Sequence, residues 1–312
     1  MPSLQSIQPD LFLIDLEFQG MDGAIGAYLL VEGDGRFALI ECGPVSTLEA
    51  LEAGIRTAGL SPEALHAVLV THIHLDHAGA AGTLAQRYGA TVYVHEVGAP
   101  HLADPSRLWA SAARIYGDQM EPLWGRIDPV PRDQLYALTD GDTVSLGRWK
   151  VRAVYTPGHA SHHVVYRLDS LVFTGDLAGV RLPGSRFVAP PTPPPELHLE
   201  TWHDSLARLR ALRPTHLLLT HFGVYTGDVD EHLEALEARL DHWGELLLAQ
   251  MRSGAGEDVL IETLRAEVTR EIRALGEGDA MVRRQGLVSP VEINVWGYQR
   301  YYRKHHPERL SP

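Results

Sequence analysis

Four potential metal ligands fall within six residues of the stretch Thr71-His72-Ile73-His74-Leu75-Asp76-His77-Ala78-Gly79. In a near-extended segment His72 and His74 project to one side, so they can reach one ion. Asp76 and His77 begin a turn, point elsewhere and can serve a second ion. Imidazole and carboxylate donors without a thiolate suit zinc, and also iron or manganese. One or two histidines at a strand end would be ordinary surface residues; His-x-His-x-Asp-His is a ligand pattern. Three later segments each deliver another ligand type: Tyr155-Thr156-Pro157-Gly158-His159, Phe173-Thr174-Gly175-Asp176, and the apolar run His216-Leu217-Leu218-Leu219-Thr220 followed by His221.

The elements around these residues explain how they could be positioned. The branched apolar run Ala67-Val68-Leu69-Val70 reads as a buried strand ending at the first cluster, and residues 78–88 read as the helix after it. Strands are expected at 11–18, 24–32, 36–41, 66–71 and 90–96, with a hairpin turn at Gly33-Asp34-Gly35 and a helix from Ser46 to about residue 58. Further strands are expected at 143–146, 149–155, 163–168, 171–174 and 216–220, with a helix over 199–212. Every candidate ligand therefore sits at a strand end. Residues 97–132, punctuated by five prolines, read as short helical pieces. They form either a lid-like excursion near the site or a helical connection packed on the surface. The proline-rich stretch 190–195 is expected to be extended. Beyond residue 228 the pattern is helical only, with apolar repeats over 228–251, 257–275 and 291–304. The expected domains are thus 1–227 and a helical appendage, 228–312. Strand–helix alternation gives an α/β class.

Composition narrows the function classes. With 27 basic and 40 acidic residues among 312, the formal net charge is −13. That argues against nucleic acid as main partner, which needs a basic surface. The single cysteine, Cys42, excludes an intrachain disulfide framework and fits a reducing cytoplasm. Met1-Pro2-Ser3-Leu4-Gln5 has no signal-peptide pattern, and no apolar run approaches the roughly 20 residues that span a bilayer. A small-molecule substrate is expected, without nucleic-acid or membrane partner, and the sequence is compatible with a homo-oligomer.

The ordered set His72, His74, Asp76, His77, His159, Asp176 and His221 resembles the metallo-β-lactamase superfamily of metal-dependent hydrolases, over residues 10–225. The resemblance implies an αββα sandwich with the site at one edge. It implies His72, His74 and His159 on a first metal, Asp76, His77 and His221 on a second, and Asp176 bridging. The cofactors are then two divalent ions, Zn2+ with Mn2+ or Fe2+ as alternatives, and Asp76 also handles the proton. The implied reaction uses a metal-bound hydroxide on a small ester, thioester or lactone. The compact His-x-His-x-Asp-His and the Thr-Pro-Gly-His turn resemble the glyoxalase II-like and lactonase-like branch, and a helical C-terminal domain that contributes to substrate binding is a glyoxalase II feature. The acidic segment 228–280 offers little basic surface for glutathione. A phosphodiesterase of the same superfamily and a mononuclear-iron, persulfide dioxygenase-like oxidoreductase are the alternatives; the full second-site ligand set counts against the latter.

Other residues carry weaker signals. Strand alternation would put only one of His162 and His163 on the inner side. Tyr28 and Tyr225 are candidate donors to a developing oxyanion, though most tyrosines pack. Cys42, in Glu41-Cys42-Gly43, reads as a small buried side chain. The basic run Arg300, Arg303, Lys304, His305 and His306 reads as a solvated helix end favourable to the dipole, rather than a substrate clamp.

Overall fold

The structure is a computed structural model that describes residues 3–311. Its strands are β1 (Leu4–Gln8), β2 (Leu11–Asp15), β3 (Gly26–Val31), β4 (Phe37–Ile40), β5 (Leu65–Leu69), β6 (Thr91–His95), β7 (Leu135–Leu138), β8 (Thr143–Leu146), β9 (Trp149–Tyr155), β10 (Val164–Leu168), β11 (Leu171–Gly175), β12 (His216–Leu219) and β13 (Gly223–Tyr225). The helices are α1 (Leu48–Thr57), α2 (Leu75–Ala78), α3 (Ala81–Tyr88), α4 (Ala99–Ala103), α5 (Ser106–Tyr116), α6 (Met120–Trp124), α7 (Leu199–Ala211), α8 (Val229–Arg252), α9 (Glu257–Ala274), α10 (Asp279–Val288) and α11 (Val291–His305). Two sheets, many helices and a helical C-terminal run are the mixed α/β class expected. No helix among the described residues is long and apolar enough to cross a membrane.

Close contacts divide the chain into two units, neither continuous in sequence. The first comprises Met1–Tyr155, His162–Gly175 and Pro214–Tyr225; the second comprises Thr156–Ser161, Asp176–Arg213 and Thr226–Pro312.

The first unit holds both sheets, ordered β1-β2-β3-β4-β5-β6-β7 and β13-β12-β11-β10-β9-β8. Alternating apolar residues such as Leu13, Tyr28, Ile40, Leu69, Val151 and Phe173 form one buried cluster from the two inner faces, the arrangement that sandwich packing requires. The β4–β5 and β5–β6 pairs are parallel, with Ile40 opposite Leu69 and Leu69 opposite Tyr93. Their C-terminal ends therefore share one rim. Cross-sheet bonds pin that rim: Tyr28 Oη donates to Leu219 O at 2.7 Å, Gly26 N to Thr220 O at 2.9 Å, and Tyr166 Oη to Val70 O at 2.9 Å.

Residues 97–132 form α4 to α6, anchored to neighbouring loops of the same unit. Ser46 Oγ donates to Leu123 O at 2.6 Å, Gln19 Nε2 to Pro122 O at 3.0 Å, and Phe18 stacks on Trp124 at 5.4 Å.

The second unit is built on α8, whose N-cap Asp228 accepts from the amides of Asp230 and Glu231, a favourable start. Leu233, Leu236, Leu240, Trp243 and Leu247 line its buried face, at the spacing read from the sequence. Tyr298 of α11 donates to Leu240 O at 2.7 Å, and Asn294 Oδ1 accepts from Thr192 N at 2.8 Å, fixing the extended proline-rich segment on α11.

Candidate metal centre

In the first unit, β5 ends at Leu69 and the chain passes through Thr71 to His72 and His74 before turning into α2, which carries Asp76 and His77. His72 and His77 are fully buried, while the Asp76 side chain is 25 % exposed. His221, just past β12, joins them, and one ligand atom each from Asp76, His77 and His221 lies within 4.8 Å of the others. Within this group Asp76 Oδ2 is 3.3 Å from His221 Nε2 and 3.7 Å from His77 Nε2. His72 Nε2 and His74 Nδ1 converge at 2.9 Å. Metal–ligand bonds of about 2.0–2.2 Å in tetrahedral geometry separate neighbouring ligand atoms by roughly 3.3–3.6 Å. The observed spacings bracket that value.

The other ring nitrogens decide which nitrogen faces the site. His77 Nδ1 donates to Glu41 Oε1 at 3.0 Å, and His221 Nδ1 donates to Ala24 O at 2.7 Å. Thr71 Oγ1 donates to Glu41 Oε1 at 2.5 Å, so its proton is committed; His72 Nδ1, 3.0 Å from that oxygen, must donate to it. All three rings are thereby held as the tautomer with a lone pair on Nε2, which faces Asp76 in His77 and His221 and His74 in His72, the orientation a metal ligand needs.

Glu41 is the hub. It also accepts from Thr71 N at 3.3 Å and Thr220 Oγ1 at 3.4 Å. Its side chain is 1 % exposed and its φ is +64°, backbone strain of a kind that persists where surrounding structure enforces it. The buried charge is felt nearby: burial first, then Glu41, raises the pKa values of Tyr28 and Tyr166 well above the usual phenol range. Burial and Glu41 together also push the Cys42 thiol up, so Cys42, wholly buried with Sγ 3.3 Å from His77 O, is poorly suited to be a nucleophile.

Gly175, at the end of β11, has φ +50°, and a Cβ there would meet Thr71 Oγ1 at 2.4 Å and His163 Nε2 at 2.7 Å. Only glycine lets the two sheet rims approach this closely.

The second unit brings His159 and Asp176 together, with His159 Nε2 3.2 Å from Asp176 Oδ2. His159 Nδ1 donates to Pro191 O at 2.9 Å, again leaving Nε2 as the lone-pair nitrogen. Trp202 of α7 braces both segments: its ring meets His159 edge-on at 5.5 Å, and its Nε1 donates to Leu177 O at 3.0 Å. Gly158 lies so close that a Cβ would meet Trp202 N at 2.5 Å.

The expectation that only one of His162 and His163 faces inward is corrected. Both are buried, with ring centroids 6.1 and 5.1 Å from His72. They precede β10, outside the strand, so strand alternation does not apply to them. His162 Nδ1 accepts from Ile73 N at 3.4 Å. Tyr28 is spent on Leu219 O and is no oxyanion donor. Glu41, Thr71, Trp202 and the two carbonyl acceptors escaped the sequence reading. Tyr116 of α5 has its phenol pKa raised, chiefly by burial and then by the negative charge of Asp76.

The family model described as the Metallo-beta-lactamase superfamily matches residues 21–222. A metallo-beta-lactamase fold-containing protein of Sulfurisphaera tokodaii is 31% identical over 173 residues, 54% of this chain and 65% of that protein. A hydroxyacylglutathione hydrolase of Acidiphilium cryptum is 32% identical over 194 residues, 62% of each chain. The match thus covers about two thirds or less of these relatives. Among solved structures, a metallo-beta-lactamase family protein of Thermus thermophilus superposes with a TM-score of 0.70 at 23% identity, over 96% of this chain and 95% of that one. That likeness concerns the fold.

Proposed function

The chain belongs to the metallo-β-lactamase superfamily, and from that premise we propose a dinuclear metal-dependent hydrolase acting on a small ester, thioester or lactone. His72, His74 and His159 would hold one ion, Asp76, His77 and His221 would hold the other, and Asp176 would be a ligand shared between them. The nitrogen and oxygen donors suit Zn2+, with Mn2+ or Fe2+ next. When bound, such a pair supplies Lewis acidity toward a carbonyl and makes water acidic enough to react near neutral pH. The catalytic domain is 1–227 and the helical domain is 228–312. The lone, buried Cys42 suits a cytoplasmic setting.

The chain's own residues do the rest. Glu41, Thr71, Ala24 O and Pro191 O lock the imidazoles in one tautomer. Asp76, the carboxylate with solvent access, is the group that accepts a proton from the attacking water. The observation that carries the proposal is this tautomer lock: four ligand histidines each spend Nδ1 on an acceptor while Nε2 stays within ligand spacing of another donor atom.

Relatives named hydroxyacylglutathione hydrolase support a thioester within the substrate class. The test is a hydrolysis screen across thioesters, lactones, simple esters, phosphodiesters and β-lactams. Turnover concentrated in the first three groups is expected. Turnover confined to phosphodiesters or β-lactams, or oxygen uptake on a persulfide, overturns the reading.

A further inference from the structure

Outside the metal centre the second unit carries a groove of about 430 Å³ with an unusual lining for so acidic a chain. Trp296, Gln299, Arg300, Arg303 and Lys304 of α11 form one wall. Their spacing of three and four residues puts them on one helical face. Pro194 and Glu257 close the other side.

Three cations therefore face one carboxylate. Arg300, Arg303 and Lys304 are all exposed. Most other C-terminal arginines are neutralised: Arg265, Arg270, Arg273 and Arg309 all sit in ion pairs of 2.8 Å or less. No carboxylate lies within ion-pairing distance of Arg303 or Lys304 among the described residues. Arg300 is held by a bond from Nε to Pro195 O at 3.1 Å, which leaves its two terminal nitrogens to serve a ligand. Glu257 is the first residue of α9, whose N-cap Gly256 provides no side-chain cap; the positive end of that helix adds to the same field. At the far end of the stripe Trp296 is half-buried.

We propose that this groove binds a nucleoside phosphate, with the base against the Trp296 indole and the phosphates among Arg300, Arg303 and Lys304. Guanidinium groups match phosphate oxygens in a forked geometry, and a planar base stacks on an indole face. From Trp296 to Lys304 the helix rises about 12 Å, enough to separate a base subsite from a diphosphate subsite. Gln299, 6 % exposed, supplies an amide between them. The ligand chemistry is shared by free nucleotides and by the nucleotide head of coenzyme A.

Isothermal titration of the metal-loaded 312-residue chain with inorganic pyrophosphate, ADP and coenzyme A tests this. ADP and coenzyme A should bind more tightly than pyrophosphate and weaken with salt. Tighter coenzyme A than ADP assigns the larger ligand, and equal binding assigns the free nucleotide. The double variant Arg303→Glu/Lys304→Glu should weaken ADP about tenfold or more. Trp296→Ala should reduce ADP to the level of pyrophosphate. Both variants should keep the wild-type circular dichroism spectrum and melting temperature, which separates loss of binding from loss of fold. Absence of ADP binding to wild type, or binding that neither variant changes, overturns the proposal. So does pyrophosphate binding as tight as ADP.

Discussion

Glu41→Gln isolates the hub of the metal centre. The substitution keeps volume and removes a charge from a side chain that is 1 % exposed and surrounded by neutral donors. Oε1 takes the bonds from His77 Nδ1, Thr71 Oγ1 and Thr220 Oγ1, and Oε2 takes Thr71 N. If the glutamine oxygen keeps the Oε1 position, its NH2 faces the Thr71 N–H and only that 3.3 Å bond is lost. The metal-free fold should then change by about 1 kcal/mol or less, because one hydrogen bond is replaced while an unneutralised buried charge is relieved. His77 loses its anionic partner, and with it basicity and a firm orientation. Outer partners of this kind are worth about 10–100-fold in metal affinity, or roughly 1.4–2.7 kcal/mol. Competition against a chromophoric chelator measures the affinity, and thermal unfolding of the metal-free protein measures the fold. The reasoning is refuted if the variant binds zinc within twofold of wild type, or if the metal-free fold collapses while affinity in the surviving protein is intact.

Gly175→Ala should destabilise the protein by about 2–4 kcal/mol, from a left-handed φ together with overlap on Thr71 and His163. Gly59→Ala, at φ +81° but with nothing within 4 Å, should cost about 1 kcal/mol; equal costs measured by denaturant titration would contradict the close-approach argument. His232, buried and donating through Nε2 to Ala178 O at 2.8 Å, has its pKa lowered from 6.5 to about 4, chiefly by burial. The unfolded chain therefore takes up the proton first as pH falls. Stability should drop between pH 6.5 and 4 by up to about 3 kcal/mol from this group and level off below. His232→Gln should flatten that part of the stability–pH curve, and an unchanged slope would remove His232 from the account.

The elements were legible where periodicity was strong. The strands at 143–146 and 149–155 and the long helices α8, α9 and α11 fall within a residue or so of their expected bounds, because each buries one clear face. The elements that escaped are those with little to bury. β1 reads Leu4-Gln5-Ser6-Ile7-Gln8 with no residue fully buried, and α10 buries only Gln285. β7 and the three-residue β13 are likewise weakly buried. The helix expected over 78–88 is Ala81–Tyr88, and the turn expected at Asp76 and His77 is itself a short helix, Leu75–Ala78.

The candidate ligands at strand ends stood out in the sequence because metal chemistry restricts ligands to few side chains. Their supports were not. Ala24 O and Pro191 O are backbone carbonyls and leave no trace in residue type. Glu41 is a carboxylate at a strand end, but nothing in the residue types beside it marks it as buried. Tyr28 shows the converse: a tyrosine that looked chemically suggestive is bound up in a cross-sheet bond.

The proposed function rests on a two-ion site. Elemental analysis of the protein purified without added metal, beside its Asp176→Ala variant, tests it most directly. The account predicts about two divalent ions per chain, with the variant losing metal and hydrolysis together. One iron per chain with oxygen consumed on a persulfide, or an Asp176→Ala protein with full metal content and turnover, would contradict it.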